Sequence, residues 1–102
     1  MIHVIAIITT KPGLRDSVLC KFSEIVPLVR AEQGCVEYEA VVDFMPVQDG
    51  QAPLGPDTFM VVEKWESAEE LDTHSKTQHM VIYRGKVKDM IAGRAIHVLS
   101  PA

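Results

Sequence analysis

One histidine, His74, stands where a general base can face the interior of the protein. It ends a predicted helix and follows the apolar Leu71 by three residues, so the two side chains share the helix face that points inward. An imidazole has an ordinary pKa of about 6.5, which suits proton abstraction near neutral pH. We therefore predict a catalytic role for His74. The alternative is a structural histidine that caps the helix or bonds a buried carbonyl group.

Four further side chains, close to His74 in the sequence, could form a binding site for an aromatic molecule. Trp65 ends a predicted strand, where its ring can stack on an aromatic ring and its N–H can donate to a phenolate. His79, Met80 and Tyr83 lie on the following helix, and the tyrosine hydroxyl can bind a phenolic oxygen. Each also has a structural interpretation: the tryptophan, methionine and tyrosine suit an apolar core, and the histidine suits a capping or exposed position.

The sequence contains no motif for a bound redox cofactor or a metal. It has no GxGxxG segment after a strand, no cysteine-rich cluster and no HExxH motif. Cys20 and Cys35 form no CxxC pair, and we expect two free thiols. His3 and His97 fall on strands predicted to be neighbours, where we interpret them as structural polar residues. We therefore expect no cofactor and no metal.

The spacing of apolar residues predicts the strands and helices that position these side chains. Strands are predicted at residues 2–10, 36–44, 58–65 and 94–99. Helices are predicted at residues 14–32, 68–74 and 77–91. Pro27 should kink or shorten the first helix, Ser67 and Glu70 form a capping box that starts the second, and Gly93 should stop the third. This order, β-α-β-β-α-β, predicts an α+β ferredoxin-like fold with a four-stranded antiparallel sheet.

Two of the predicted strands are apolar on both faces. In the first strand, Val4 and Ala6 lie on one face while Ile5 and Ile7 lie on the other, and strand 58–65 is similar. A sheet with one solvated face would alternate apolar and polar residues instead. A second copy of the chain, packed sheet against sheet, is the simplest cover, so we predict a homodimer. We interpret Glu63 as part of an ion pair between strands or subunits.

Composition restricts the class of protein. Hydrophobic residues make up 47% and charged residues 24% of the 102-residue chain, which indicates one folded domain over residues 1–102. The net charge of −4 argues against nucleic-acid binding. The longest apolar run, residues 4–8, is too short to cross a bilayer, and no signal peptide is recognised. We expect a cytoplasmic protein that binds neither membranes nor nucleic acids.

Several short motifs occur in the order seen in one known family. They are KPG at 11–13, EQGCVEY at 32–38, FMVVEKWES at 59–67, LDTH at 71–74 and QHM at 78–80. Together they resemble the antibiotic biosynthesis monooxygenase family, including its quinol monooxygenases of the dimeric α/β barrel group. The E-x-W-x-S step followed by L-x-x-H is the most specific part. The loop at 45–57, rich in proline and glycine, is longer than is usual in the family, and we interpret it as a lid or a mobile tip.

The resemblance implies a cofactor-independent oxygenase that acts on a hydroquinone, an anthrone or a related phenol with dioxygen. The substrate anion then reduces dioxygen, and the protein supplies a base, a dry cavity and hydrogen-bond donors. The resemblance supports His74 as the base and Trp65 as a pocket residue. Two alternatives remain, a non-catalytic dimeric binding or stress-response protein and a haem-degrading enzyme. The haem-degrading enzyme is disfavoured because the first strand has apolar residues where such enzymes carry an asparagine.

Overall fold

A four-stranded antiparallel sheet carries all the helices of the protein on one face. The computed structural model describes residues 1–102. Its elements in chain order are β1 (Ile2–Thr10), α1 (Arg15–Arg30), β2 (Cys35–Val41), β3 (Thr58–Trp65), α2 (Ala68–Ser75), α3 (Gln78–Val87), a 3-10 turn (Lys88–Met90) and β4 (Ile91–Leu99). The strands are arranged β2-β3-β1-β4. This confirms the predicted α+β ferredoxin-like arrangement.

The two faces of the sheet differ in burial as the alternation of side chains requires. On the helix side, Val4, Ala6 and Val61 are buried in the core. On the opposite side, Ile5 pairs with Val62 and Ile7 pairs with Met60, and all four side chains are only half-buried. The central strands are therefore apolar on both faces, and one of these faces has no cover within the chain.

The core lies between the sheet and helices α1 and α3. Phe22 of α1 stacks on Tyr38 of β2 with ring centroids 5.3 Å apart, and it meets Phe59 of β3 edge to face. From α3, Met80 and Val87 complete this core. Each of the two helices therefore turns one apolar face toward the sheet, as the period of a helix allows. None of the helices has the length and apolar character needed to cross a membrane.

Three predicted boundaries were wrong. Strand β2 ends at Val41 rather than at 44, because the Asp43 carboxylate accepts hydrogen bonds from the backbone N–H groups of Leu54 and Gly55 and turns the chain away. Helix α3 ends at Val87 rather than at 91, whereas α1 continues through Pro27 to Arg30, close to its predicted end at 32. Gly93 does not stop a helix, because the chain already pairs with β1 from Ile91 onward and Gly93 lies opposite Thr9.

The connection between β2 and β3 is held at its base. Besides the bonds to Asp43, Arg15 donates from Nη1 to the carbonyl oxygens of Gly55 and Thr58, each at 3.1 Å. Farther out, Phe44 and Met45 expose about seven-tenths of their surface. A role of this loop as a lid stays a prediction.

Candidate active site

A cavity of about 400 Å³ lies between the helices and the helix side of the sheet. A volume of this size suits a small aromatic ligand. Most of its lining is apolar, and the residues are Val4, Ala6, Ile8, Phe22, Tyr38, Val61, Glu63, Ala68, Leu71, Asp72, His74, Ser75, Met80, Tyr83, Arg84, Arg94, Ile96 and Val98. The side along β4 is open, since Ile96 and Val98 are 57% and 58% exposed.

His74 lies on the cavity wall as predicted, with only 4% of its surface exposed. Its Nδ1 lies 2.8 Å from Oε2 of Glu32. Because a carboxylate oxygen can only accept, Nδ1 carries the hydrogen and the lone pair of the neutral ring is on Nε2, which has no partner in the chain. Burial lowers the pKa of His74 below its ordinary value, and the bond to Glu32 only partly offsets this effect. A neutral imidazole with a free Nε2 is a competent general base.

Local structure fixes the position of this histidine. The Ser67 hydroxyl accepts the backbone N–H of Glu70 and starts α2, so the predicted cap is confirmed and His74 falls on the last turn of the helix. The indole of Trp65 lies against the imidazole with ring centroids 4.6 Å apart. Glu32 reaches His74 from just beyond α1, where Gly34 adopts a φ of +84° that favours glycine.

His79 contacts the same carboxylate rather than the cavity. Its Nε2 lies 2.8 Å from Oε2 of Glu32, the atom that also binds His74. The donor atoms of these three residues lie within 4.8 Å of one another, and two histidines with one carboxylate form a set that could hold a divalent transition metal. Here both rings direct an N–H group at one oxygen. The three side chains therefore already satisfy each other as a hydrogen-bonded cluster.

Trp65 is fully buried and does not line the cavity. Its indole N–H donates to Oε1 of Glu63 at 2.9 Å, so it is not free to bind a phenolate. Glu63 itself lines the cavity and is 7% exposed. The interpretation of Glu63 as part of an ion pair between strands was wrong, because no lysine or arginine of the chain pairs with it. An ion pair between subunits stays a prediction. Burial raises the pKa of this carboxyl to about 7.

Met80 and Tyr83 line the cavity, as the sequence predicted. Burial raises the pKa of Tyr83 to about 12, so its hydroxyl stays protonated and can donate near neutral pH. Arg84 and Arg94 also reach the cavity, and Arg84 donates from Nη2 to the carbonyl oxygen of Ser75 at 2.6 Å. The polar lining of the cavity therefore combines an imidazole, two carboxyl groups, three hydroxyl groups and two guanidinium groups.

Sequence reasoning missed two carboxyl groups of the site. Glu32 is separated from His74 by 42 residues, and no local pattern reveals their contact. The position of Glu63 could have been predicted, because side chains alternate along a strand. Glu63 therefore lies on the same buried face of β3 as Phe59 and Val61. A carboxyl group at a position that should be apolar indicates a functional or hydrogen-bonded role.

The comparison with known families decides the classification. The family model described as "Antibiotic biosynthesis monooxygenase" matches residues 1–84. The chain belongs to the antibiotic biosynthesis monooxygenase family. It is accordingly a monooxygenase, an oxidoreductase that uses dioxygen, and the resemblance inferred from the motifs is confirmed.

Individual relatives span the whole chain. "Probable quinol monooxygenase YgiN" of Escherichia coli K12 is 39% identical over 103 aligned residues, covering 99% of this chain and 98% of its own. The solved structure of Rv0793 from Mycobacterium tuberculosis is 25% identical with a TM-score of 0.80, covering 99% of this chain and 94% of its own. PA3566 from Pseudomonas aeruginosa, at 23% identity, shares the fold with a TM-score of 0.83 over 99% and 93%.

Proposed function

We propose that this monooxygenase oxidises a quinol, an anthrone or a related phenol with dioxygen and needs no bound cofactor. The observation that carries the proposal is the Glu32–His74 pair, which presents a base with a free Nε2 on the wall of an apolar cavity. The printed name of the relative YgiN points to the same substrate class. A phenol suits this site because its acidic O–H needs a base and its ring needs an apolar surface.

The reaction follows from the chemistry of an electron-rich phenol. Nε2 of His74 removes the phenolic proton, and the resulting anion gives one electron to dioxygen. The phenoxyl radical and superoxide then couple, which forms a C–O bond and a peroxide on the ring. Loss of water from this peroxide leaves a new carbonyl group, so one quinol and one dioxygen give one hydroxyquinone and one water. The protonated hydroxyl of Tyr83 can donate to a substrate oxygen during these steps.

The test is turnover of a panel of quinols and anthrones under ¹⁸O₂, with anaerobic reactions as the control. We expect one ¹⁸O atom in the hydroxylated quinone and one in water, with one dioxygen consumed per substrate. The absorbance spectrum of the purified protein should lack flavin and haem bands. Dioxygen uptake that occurs only after addition of a flavin, haem or metal would contradict the cofactor-independent reaction. No uptake with any member of the panel would contradict the proposed substrate class.

We further propose that the protein is a homodimer packed through the free face of its sheet, as an α/β barrel. This face presents the half-buried Ile5, Ile7, Met60 and Val62 at its centre. A contiguous apolar surface of this kind is costly to leave in water and usually marks an interface.

Light scattering at micromolar concentration should give twice the chain mass of 11.3 kDa. Met60→Lys places a charge at the centre of the free face and is expected to yield monomers. Leu28→Lys is the matched control, because Leu28 is a 51% exposed apolar residue on the outside of α1, away from this face. The dimer should survive this control substitution. A wild-type protein that stays monomeric would contradict the proposed assembly.

A further inference from the structure

The cavity contains a second group that can exchange a proton, the carboxyl group of Glu63. The residue Glu63 exposes only 7% of its surface, and it lines the cavity wall. Oε1 accepts the indole N–H of Trp65, whereas Oε2 has no hydrogen-bond partner in the chain. No lysine or arginine forms an ion pair with it.

Trp65 connects this carboxyl group to the base. Its indole N–H binds Glu63, and its ring lies against His74 with centroids 4.6 Å apart. Residues 63 and 65 point to the same side of β3 because side chains alternate along a strand. The tryptophan therefore fixes one carboxyl oxygen and leaves the other free on the cavity that His74 also lines.

The proposed oxidation needs an acid at one particular step. After radical coupling, the ring peroxide anion takes up the proton that His74 removed from the phenol. Breaking the O–O bond of this hydroperoxide then expels hydroxide, a poor leaving group unless a proton reaches it at the same time. A carboxyl group that is protonated near neutral pH can supply this proton, and burial raises the pKa of Glu63 to about 7.

We propose that Glu63 is the catalytic acid that protonates the departing oxygen of the peroxide. The O–O bond breaks, its electron pair leaves with the distal oxygen, and the Glu63 proton converts that oxygen to water. The electron pair of the ring C–H bond forms the new C=O bond, and the released proton returns to the Glu63 carboxylate. All atoms and electrons are then balanced, with dioxygen as the only oxidant. This inference rests on the proposed function, because it assigns one step of that reaction.

Without this acid, the same hydroperoxide can decompose by a different reaction. It can break its C–O bond instead, which releases hydrogen peroxide and leaves the unhydroxylated quinone. Loss of the acid should therefore change the products more than the consumption of dioxygen. A purely structural role for Glu63 would instead lower both products together.

The experiment measures hydroxyquinone, quinone and hydrogen peroxide in Glu63→Gln, Glu63→Asp and wild type. Glutamine keeps an oxygen that accepts the Trp65 N–H but has no proton to give. We expect the ratio of quinone to hydroxyquinone to rise at least about tenfold in Glu63→Gln, in line with the loss of a general acid. Aspartate retains an acid and should restore part of the hydroxylation. Glu24→Gln, at an exposed carboxylate on α1 that pairs with Lys86, is the matched control and should match wild type.

The outcomes are distinguishable. An unchanged product ratio in Glu63→Gln would overturn the assignment while the proposed function stands, and so would an equal loss of both products in a folded variant. If Glu63→Gln does not fold, the product ratio of Glu63→Leu decides, because leucine is similar in size and has no proton to give, and a wild-type ratio there would overturn the assignment. Absence of dioxygen uptake in the wild type would instead overturn the proposed function, and the assignment of Glu63 falls with it.

Discussion

Replacement of His74 by alanine is expected to lower turnover of a quinol by roughly 10²–10⁴-fold, the range for loss of a general base. The physical reason is that Nε2 of His74 is the free ring nitrogen on the cavity, held in this tautomer by Glu32. The measurement is steady-state oxidation of the best quinol from the panel. The loss should appear mainly in kcat, because the apolar wall that binds the ring remains.

The fold should survive this substitution. His74 occupies the last turn of α2, and its removal deletes no large apolar side chain from the core. Thr73→Ala is the matched control, since Thr73 is an exposed neighbour on the same helix and should retain wild-type turnover. If His74→Ala keeps full activity, the base is another group. If it unfolds, His74 is a structural residue that satisfies a buried partner.

The pH profile gives an independent check on the same assignment. Burial lowers the pKa of His74, so its neutral form is present above a pKa that lies below the ordinary value of about 6.5. The rate should therefore rise with pH through that acidic range and level off near neutrality. This rise of the rate with pH should be absent in His74→Ala. A substrate whose phenol is methylated has no proton to lose and should react with neither protein, which separates ionisation of the substrate from that of the enzyme.

The inward position of His74 was predictable because it depends on local structure alone. The capping box at Ser67 sets the start of α2, and helical spacing then places residues 71 and 74 on one face. The strands were predictable for a similar reason, since the β-branched runs of β1 and β3 have ends that the structure reproduces. Information that lies within about ten residues of chain is enough for these features.

The contacts of the site were not predictable in the same way. Glu32 meets His74 and His79 only after α1, α2 and α3 pack on one sheet, so the contact depends on the whole fold. We expected Trp65 to donate its indole N–H to the substrate, which requires that no other group accepts it. In the structure, Glu63 accepts this N–H from two residues away on the same face of the strand. A carboxyl group two positions before a tryptophan on a buried strand face is a pattern that could have indicated this bond.

The end of β2 was predicted from the strand propensity of its residues, and the hydrogen bonds of a single side chain override this propensity. Val42 and Phe44 favour a strand by type, yet the Asp43 carboxylate binds two backbone N–H groups more than ten residues ahead. Aspartate commonly starts turns because its side chain competes for backbone hydrogen bonds. The same residue thus shortens β2 and holds the base of the loop that follows it.

Substitution of Glu32 by glutamine is expected to lower turnover by about 10²-fold or more, although Glu32 does not line the cavity. A carboxylate can only accept, so it forces the hydrogen of His74 onto Nδ1. The glutamine amide can instead donate to Nδ1, which moves the ring hydrogen to Nε2 and removes the lone pair from the cavity. A wrong tautomer of this kind costs about 10⁴-fold in the Ser-His-Asp enzymes.

The same substitution should also lower stability. Oε2 of Glu32 accepts two ring N–H groups, and hydrogen bonds to charged groups contribute about 1.5–3 kcal/mol each. Glutamine keeps one oxygen acceptor, so we expect the free energy of unfolding to fall by about 1–3 kcal/mol. Glu24→Gln, at an exposed position on α1 away from the free face of the sheet, is the matched control and should change neither turnover nor stability measurably.

Nitrogen NMR of labelled histidine rings separates the tautomer from other causes. Wild-type His74 should show its hydrogen on Nδ1, and Glu32→Gln should show it on Nε2. Because the hydrogen bond and charge of Glu32 both raise the pKa of His74, their loss should move the acidic titration of this ring to still lower pH. Full turnover in a variant whose His74 hydrogen has moved to Nε2 would contradict the role of Glu32, because a ring without a free Nε2 cannot act as the base.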